Sequence, residues 1–329
     1  MMKTSEQLLE LVNDRLREVG SSRRPVSLYD PIGYVLSIGG KRLRPVLMLL
    51  AYNMYKETVE DIVGQAVGIE VYHNYTLLHD DLMDNAPMRR GHETVHLRWN
   101  ANQAILSGDS MLVLAYQYMS HCSSEKLQQV IDLFTTTALE IGEGQQYDMD
   151  FEHRNDVSED EYIEMIRLKT SVLLACALKI GALLAGASAS DCENIYRFGE
   201  LVGLAFQLQD DYLDVYGDPK VFGKAIGGDI LCNKKTYMLI NALAKADSEQ
   251  RRQLEYWIAQ TPQEGTAEGQ EKIKAITNLY NQIGIDKMAQ VKIAAFFEQS
   301  RKYLDAIGVS DERKQYLKAY VEQMMKREY

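Results

Sequence analysis

The chain has 329 residues, 46% of them apolar and 25% charged, an ordinary globular composition with enough length to bury a large core without covalent staples. A formal net charge of −11 is the opposite of the basic footprint of a nucleic-acid binder, and no such partner is expected. The four cysteines (Cys122, Cys176, Cys192 and Cys232) are widely spaced with no C-x-x-C pair, which argues against both a zinc site and a secreted disulfide framework.

The first six residues lead straight into an amphipathic helical pattern, Leu8, Leu9, Val12, Leu16 and Val19, with no signal-peptide core. A cytoplasmic location is the expectation. Three of the six prolines, Pro25, Pro31 and Pro45, fall in the first 45 residues. Beyond them apolar residues recur at helical spacing and strand-type alternation is hard to find. The pattern predicts an all-α fold of roughly ten or more helices joined by short loops, in a single domain over 1–329.

Gly39-Gly40-Lys41-Arg42-Leu43-Arg44-Pro45 puts three cations in five positions after a flexible glycine pair. Next, Leu77-Leu78-His79-Asp80-Asp81-Leu82-Met83-Asp84 sets three carboxylates in an apolar helical pattern. On a helix Asp80 and Asp84 lie about 40° apart around the axis, one turn from each other, with Asp81 at the edge of that face. Carboxylates this close repel one another unless cations lie between them. Hard oxygen ligands suit Mg²⁺, which keeps some water and shares substrate phosphates. Arg89-Arg90-Gly91 follows; arginine forks match phosphate oxygens and lysine supplies a point charge. Either basic cluster alone also reads as a surface turn, but both occur in an acidic chain and one adjoins a metal motif.

His92-Glu93-Thr94-Val95-His96 matches H-E-x-x-H, the helical zinc motif of metalloproteases. A zinc site needs both histidines on a long helix and a third protein ligand. Pro87 and Gly91 instead predict a loop or a helix start, no third ligand stands out, and the match is read as accidental. Ser158-x-x-Glu161 and Asp247-x-x-Gln250 have capping-box spacing. Lys169-Thr170 lies inside an apolar helix, where a buried lysine needs an anion or a carbonyl nearby. The apolar run 171–187, interrupted by Lys179, reads as a buried core helix and not as a membrane span.

Gln207-Leu208-Gln209-Asp210-Asp211-Tyr212-Leu213-Asp214 repeats the first aspartate spacing. One triplet reads equally well as a solvated acidic face. Two copies, each flanked by apolar residues, point to two aspartate-bearing helices facing each other and holding several Mg²⁺ ions around one diphosphate. Lys224 and Lys234 follow across a loop containing Gly223, Gly227 and Gly228, and the polar stretch 261–269 reads as a surface loop between late helices.

With these motifs in this order, from about residue 30 to about residue 240, the chain resembles the trans-isoprenyl diphosphate synthases, or polyprenyl synthetases. The resemblance implies a helical bundle with a central cavity, usually a homodimer, that condenses an allylic diphosphate with isopentenyl diphosphate. It implies Mg²⁺, three ions per active site, on Asp80, Asp84 and Asp210, with Asp81, Asp211 and Asp214 supporting them. It places Arg89, Lys169 and Lys234 on the allylic diphosphate with Lys224 nearby, and Lys41, Arg44, His73 and Arg90 around isopentenyl diphosphate. Thr170 and Gln207 are implied near the developing carbocation. Ionising the allylic C–O bond needs stabilisation of the leaving diphosphate and a dry apolar pocket for the cation. The family usually has proline where this chain has Glu93, which bears on the local turn.

A class I terpene cyclase would share the first motif but not an intact Asp210–Asp214 motif or the Lys41/Arg44 segment, and a non-catalytic synthase subunit would lack some of these residues. Product length is the least legible property. Thr76 shares the Asp80 face, and the family places its cavity floor at Tyr75. An aromatic ring there implies a short product of fifteen or twenty carbons, with a longer-chain synthase as the alternative.

Overall fold

The computed structural model describes residues 2–218, 226–263 and 265–326. They group into two compact units. The first draws its described residues from Met1–Thr136, Cys176–Tyr196 and Ile307–Lys318, the second from Thr137–Ala175, Arg197–Ala306 and Ala319–Tyr329. Both are helical, as the apolar spacing predicts.

In the first unit, α1 (Ser5–Leu16) begins at a Thr4 capping box in which the Thr4 amide donates to Gln7 Oε1 at 2.9 Å, and it buries Leu8, Val12 and Leu16. After α2 (Val26–Ser37), α3 (Leu43–Asn53) is buried at every position from Pro45 to Asn53. A helix apolar on all sides belongs at the centre of a core. The 21-residue α4 (Val63–Met83) is about 32 Å long at the helical rise. It ends in the first aspartate motif, with Asp84 as its C-cap.

A two-residue hairpin follows and departs from the strand-free expectation. β1 (Met88–Arg89) pairs antiparallel with β2 (His92–Glu93), Met88 opposite Glu93 and Arg89 opposite His92. The connecting Arg90 and Gly91 have φ of 52° and 77°, the left-handed pair that a primed two-residue turn requires. His92 and Glu93 are therefore in a strand, while His96 lies in the four-residue α5 (Val95–Arg98), so the H-E-x-x-H residues do not share a helix. The Glu93 carbonyl accepts from the Tyr34 hydroxyl at 2.6 Å. That contact uses main chain, so the side chain replacing the family's proline leaves it unaffected. The unit continues through α6 (Ala101–Ser120) and the start of α7 (Ser124–Glu152), where Phe134 packs edge-on against Tyr72 and Tyr116 at 5.1 and 4.9 Å.

The second unit holds the end of α7, α8 (Glu159–Ile166), a π turn at Arg167–Ser171, the start of α9 (Val172–Ala185) and most of α10 (Ala189–Tyr216). It continues with α11 (Gly228–Leu231), α12 (Tyr237–Lys245), α13 (Ser248–Ile258), α14 (Ala267–Ile283) and α15 (Ile285–Asp305). The last helix, α16 (Asp311–Met325), ends the described chain. Both expected capping boxes form: the Ser158 amide donates to Glu161 Oε2 at 2.9 Å and the Asp247 amide to Gln250 Oε1 at 3.0 Å. The loop expected over 261–269 is shorter than its composition suggests. Thr266 caps α14, accepting from the Gly269 amide at 3.1 Å, so Ala267 to Gly269 are the helix's first turn. Phe151, Tyr162, Leu208, Met238, Leu254 and Tyr280 anchor this unit's core.

One run, Glu159–Ala185, is long and apolar enough to cross a membrane by length and composition, but 72% of its apolar window is buried within the protein. Lys179 makes an ion pair with Glu193 at 3.3 Å.

The Gly39–Pro45 cations do not share one environment. Arg42, at the N-cap of α3 with φ of 49°, is turned inward. It is 4% exposed, pairs with the 2% exposed Glu70 at 2.7 Å and donates to the Leu36 carbonyl at 2.5 Å. Asn74 Nδ2 also donates to Glu70, at 3.0 Å. Arg42 is thus a structural cation that orders the N-terminus of α3. Arg42→Ala should destabilise the fold by about 3–5 kcal/mol, because it leaves a buried carboxylate uncompensated. The expected reading is a lower urea midpoint at unchanged slope; a wild-type midpoint would show that Glu70 does not depend on Arg42.

Candidate active site

In the first unit, chain segments far apart in sequence converge on the end of α4. Arg89 grips Asp81: Nη2 donates to Oδ1 at 2.6 Å and Nε to Oδ1 and Oδ2 at 2.9 and 3.2 Å. The same Nη2 lies 3.8 Å from Asp80 Oδ2. Burial raises the Asp81 pKa and the Arg89 contact opposes that rise. Arg90 Nη1 donates to the Gly39 carbonyl, tying the hairpin turn to the glycine pair. Gly40, with φ of 138°, leaves room for that guanidinium; a Cβ would stand 2.6 Å from Arg90 Nη1.

Arg44 Nη1 lies 3.1 Å from His73 Nε2. Burial, then the charges of Arg44, Arg90, Arg89 and Arg42, push the His73 pKa well below its usual value. The imidazole is therefore neutral and accepts from Arg44. Lys41 is exposed just ahead of α3. Glu70 offsets Arg42 and Asp81 offsets Arg89, while Arg44 and Arg90 beside a neutral imidazole form an arrangement that can take an anion. A small cleft lined among others by Tyr34, Asn74, Leu77, Asp81, Arg89 and Arg90 lies beside these arginines. One turn before Asp80, Thr76 Oγ1 donates back to the His73 carbonyl at 2.8 Å. Tyr75 is half-buried, with its ring 5.5 Å from that of Tyr72 and 4.8 Å from that of His79.

In the second unit, the end of α10 and the π turn form a second polar cluster. Thr170 Oγ1 donates to Gln207 Oε1 at 3.1 Å, and Gln207 Nε2 donates to Asp211 Oδ1 at 3.1 Å. The Tyr162 hydroxyl donates to Asp211 Oδ2. Asp211 is buried and its pKa is pushed up to about 7, first by burial and then by Asp229, against the pull of Lys234 and the two donors. Asp214 Oδ2 accepts from the Asp229 amide at 3.0 Å, which fixes the start of α11. Lys169 Nζ meets Asp148 Oδ2 at 2.6 Å. Burial opposes ionisation of Asp148, but Lys234 and then Lys169 outweigh it, and its pKa is lowered. Lys224 lies outside the described residues.

Asp81, Asp211 and Asp214 each have carboxylate oxygens engaged by protein donors. Among the described residues no three His, Cys, Asp or Glu side chains converge as a ready-made metal cage. An all-oxygen set of this kind fits a hard divalent ion that keeps water and completes its shell with substrate phosphates; a soft-metal site would need thiolates or imidazoles.

The polyprenyl synthetase family matches residues 25–279. The chain belongs to the polyprenyl synthetase family. It is a prenyltransferase, a short-chain prenyl diphosphate synthase. It is 43% identical over 224 residues, 68% of its own length and 69% of the relative's, to the geranylgeranyl diphosphate synthase of Methanosarcina mazei. A crystal structure of a geranylgeranyl pyrophosphate synthase superposes with a TM-score of 0.93 at 42% identity, covering 98% of this chain and 99% of that one. A polyprenyl synthase from Caulobacter crescentus, solved with calcium and isoprenyl diphosphate, superposes with a TM-score of 0.83 at 26% identity over 98% of this chain and 94% of that one.

Three members of the second cluster go unnoticed in the sequence: Asp148, Tyr162 and Asp229. Asp148 sits among Asp150 and Glu152 near the end of α7, where it reads as part of a solvated acidic face. The one signal for it is indirect, the buried lysine that needs an anion. Asp148→Asn keeps an acceptor oxygen beside Lys169 but removes the charge that holds it. It should lower kcat by about tenfold or more through displacement of Lys169, with the KM for isopentenyl diphosphate within about twofold of wild type. Steady-state kinetics with each substrate varied in turn checks this, and unchanged kcat would show that Asp148 does not position Lys169.

Proposed function

We propose that the enzyme condenses an allylic diphosphate with isopentenyl diphosphate, with Mg²⁺ as the divalent ion and a twenty-carbon product. Each aspartate triplet, at the end of its long helix, lies beside cations that can share a diphosphate, and this observation carries the reading. Asp80, Asp84 and Asp210 hold the ions, three per site, and Asp81, Asp211 and Asp214 orient them. When bound, Mg²⁺ stabilises negative charge on the departing diphosphate. Arg89, Lys169 and Lys234 bind that diphosphate, and Lys224 belongs with them by sequence. Lys41, Arg44, His73 and Arg90 bind isopentenyl diphosphate, the spectator anion. Thr170 and Gln207 present oxygen toward the allylic cation; the double bond of isopentenyl diphosphate attacks that cation to form the new C–C bond, and the cation so formed on the isopentenyl unit loses a proton to the released diphosphate.

The whole chain acts as one domain in this reading, since the family match runs through residues of both units. A homodimer is favoured by the exposed apolar residues of α6, where Ile105, Leu106 and Val113 are 46%, 56% and 68% exposed. None of the four cysteines is in a disulfide, which suits a reducing cytoplasm, and among the described residues the one apolar run of spanning length is mostly buried, which favours a protein without a membrane span.

The ligand assignment is tested by Asp80→Ala and Asp210→Ala. Each should lower kcat by about 10²–10³-fold in Mg²⁺ with the far-ultraviolet circular dichroism unchanged, because each removes an interaction that strengthens as the diphosphate leaves. Near wild-type turnover with unchanged metal dependence in either variant would remove that residue from the ligand set.

Product length is assigned to Tyr75. Its ring stands about 7 Å before Asp80 along α4 and fills volume that a longer prenyl tail needs. Tyr75→Ala should open an apolar cavity that a hydrocarbon tail occupies favourably, at about 25 cal/mol per Å² of apolar surface removed from water. Chromatography of the products should show a shift to longer chains with condensation retained. An unchanged distribution from a folded, active variant would show that Tyr75 only packs against Tyr72 and His79.

A further inference from the structure

The π turn at Arg167–Ser171 carries both Lys169 and Thr170. Such a turn takes one residue more than an α turn and interrupts the regular hydrogen-bond ladder, so it persists where the surroundings favour it. Here they do so from three directions, all within the second unit. On α7, a Cβ at Gly144 would collide with Lys169 N and stand 2.8 Å from Lys169 Cα and 2.9 Å from the Leu168 carbonyl carbon. On α10, a Cβ at Gly203 would stand 2.6 Å from Ser171 Cα, 2.7 Å from its Cβ and 2.9 Å from its Oγ. All of these atoms but Ser171 Cβ and Oγ are main chain, which cannot give way as a flexible side-chain end can. The third support is ionic. Arg167, the first residue of the turn, lies 2.8 Å from Glu164, 3.2 Å from Glu200 and 3.7 Å from Glu140, and Arg197 closes on Glu200 at 2.9 Å. The Ser171 hydroxyl donates to the Ile166 carbonyl, five residues back, at 3.4 Å.

Glycine inside a helix is disfavoured by about 1 kcal/mol relative to alanine. Gly144 and Gly203 have helical backbones, with no positive φ to demand glycine. What demands it is the approach of the π turn. We propose that Gly144 and Gly203 are positioning residues: together they clasp the π turn in the register that presents Lys169 and Thr170 to the allylic substrate. The proposal rests on the reading of Lys169 and Thr170 as contacts to that substrate, and it adds what sets their placement.

The full-length enzyme with Mg²⁺ provides the test. Gly144→Ala and Gly203→Ala should each lower kcat by about a hundredfold, the scale of an ångström-sized misplacement. Calorimetry on the same folded samples should show binding of geranyl S-thiolodiphosphate, a poorly ionising allylic analogue, weakened about tenfold, and binding of isopentenyl diphosphate changed less than about twofold, both at full stoichiometry. Loss of folded fraction would lower both stoichiometries alike, so the selectivity separates positioning from plain destabilisation. Gly142→Ala, on the same helix with nothing within 4 Å of the new Cβ, should behave as wild type. Folded Gly144→Ala and Gly203→Ala with wild-type kcat, or with both ligands weakened equally, would overturn the proposal. Should the alanine variants not fold, Glu200→Gln decides: it loosens the Arg167 network without adding volume and should weaken the allylic analogue selectively, whereas wild-type kcat and affinity would overturn the clasp. Lys169→Ala is measured alongside. If it kept wild-type kcat and analogue affinity, the role given to Lys169 would fail; if it were impaired while the glycine variants were not, only the clasp would fail.

Discussion

Negative charge is concentrated at both functional ends of this protein, and the arrangement around them depends on neutralising it. Asp80, Asp81 and Asp84 close α4, and Asp210, Asp211 and Asp214 lie in the last two turns of α10. The C-terminal end of a helix already carries the equivalent of about half a negative charge. Three carboxylates added there repel the dipole and each other, in a chain whose net charge is −11. Local cations must offset this, and the structure supplies some of them: Arg89 on Asp81, and Lys234 near Asp211 and Asp148.

The two units use different cations. Around His73 the charges are guanidiniums, and the imidazole is held neutral among them. Guanidiniums stay charged and offer fixed forks, which suits the diphosphate held unchanged that is proposed for Arg44 and Arg90; Arg89, in the same unit, is the exception, being proposed for the leaving diphosphate. The second unit relies on ammonium groups, Lys169 and Lys234, already paired through Asp148. A compact point charge on a flexible stem can follow a leaving group as charge builds on it. Binding that strengthens along the reaction raises turnover, whereas binding that stays uniform lowers KM alone.

Helices, capping boxes and both aspartate triplets were legible in the sequence because their signals are local: spacing of apolar residues, a cap three residues from its partner, carboxylates one turn apart. What was illegible depends on partners distant in sequence. Arg42 looks like its neighbours Lys41 and Arg44, and only Glu70, 28 residues on, makes it structural. Asp148 looks solvated until Lys169, 21 residues on, is placed against it. The π turn has no spacing signature, since its cause is the space left by Gly144 and Gly203 on other helices. The 88–93 hairpin carries no such local signal, because its turn is Arg-Gly, not the Asn-Gly that marks such turns.

The chain of hydrogen bonds from Tyr162 to Thr170 shows how a metal-side carboxylate can orient an oxygen on the cation side. An ionised Asp211 only accepts, and it takes one hydrogen bond from the Tyr162 phenol, whose pKa burial holds well above its usual value, and another from Gln207. That demand fixes the Gln207 amide with its nitrogen toward Asp211 and its oxygen toward Thr170. Thr170 must then donate its only hydroxyl proton to Gln207, which leaves its lone pairs as the unengaged side of the oxygen. Protonating Asp211 would remove the demand and let the amide and hydroxyl reverse. Burial favours that protonation, and the nearby Lys234 charge opposes it. An ion held at the end of α10, as proposed above, would oppose it further and so favour the Thr170 hydroxyl donating to Gln207.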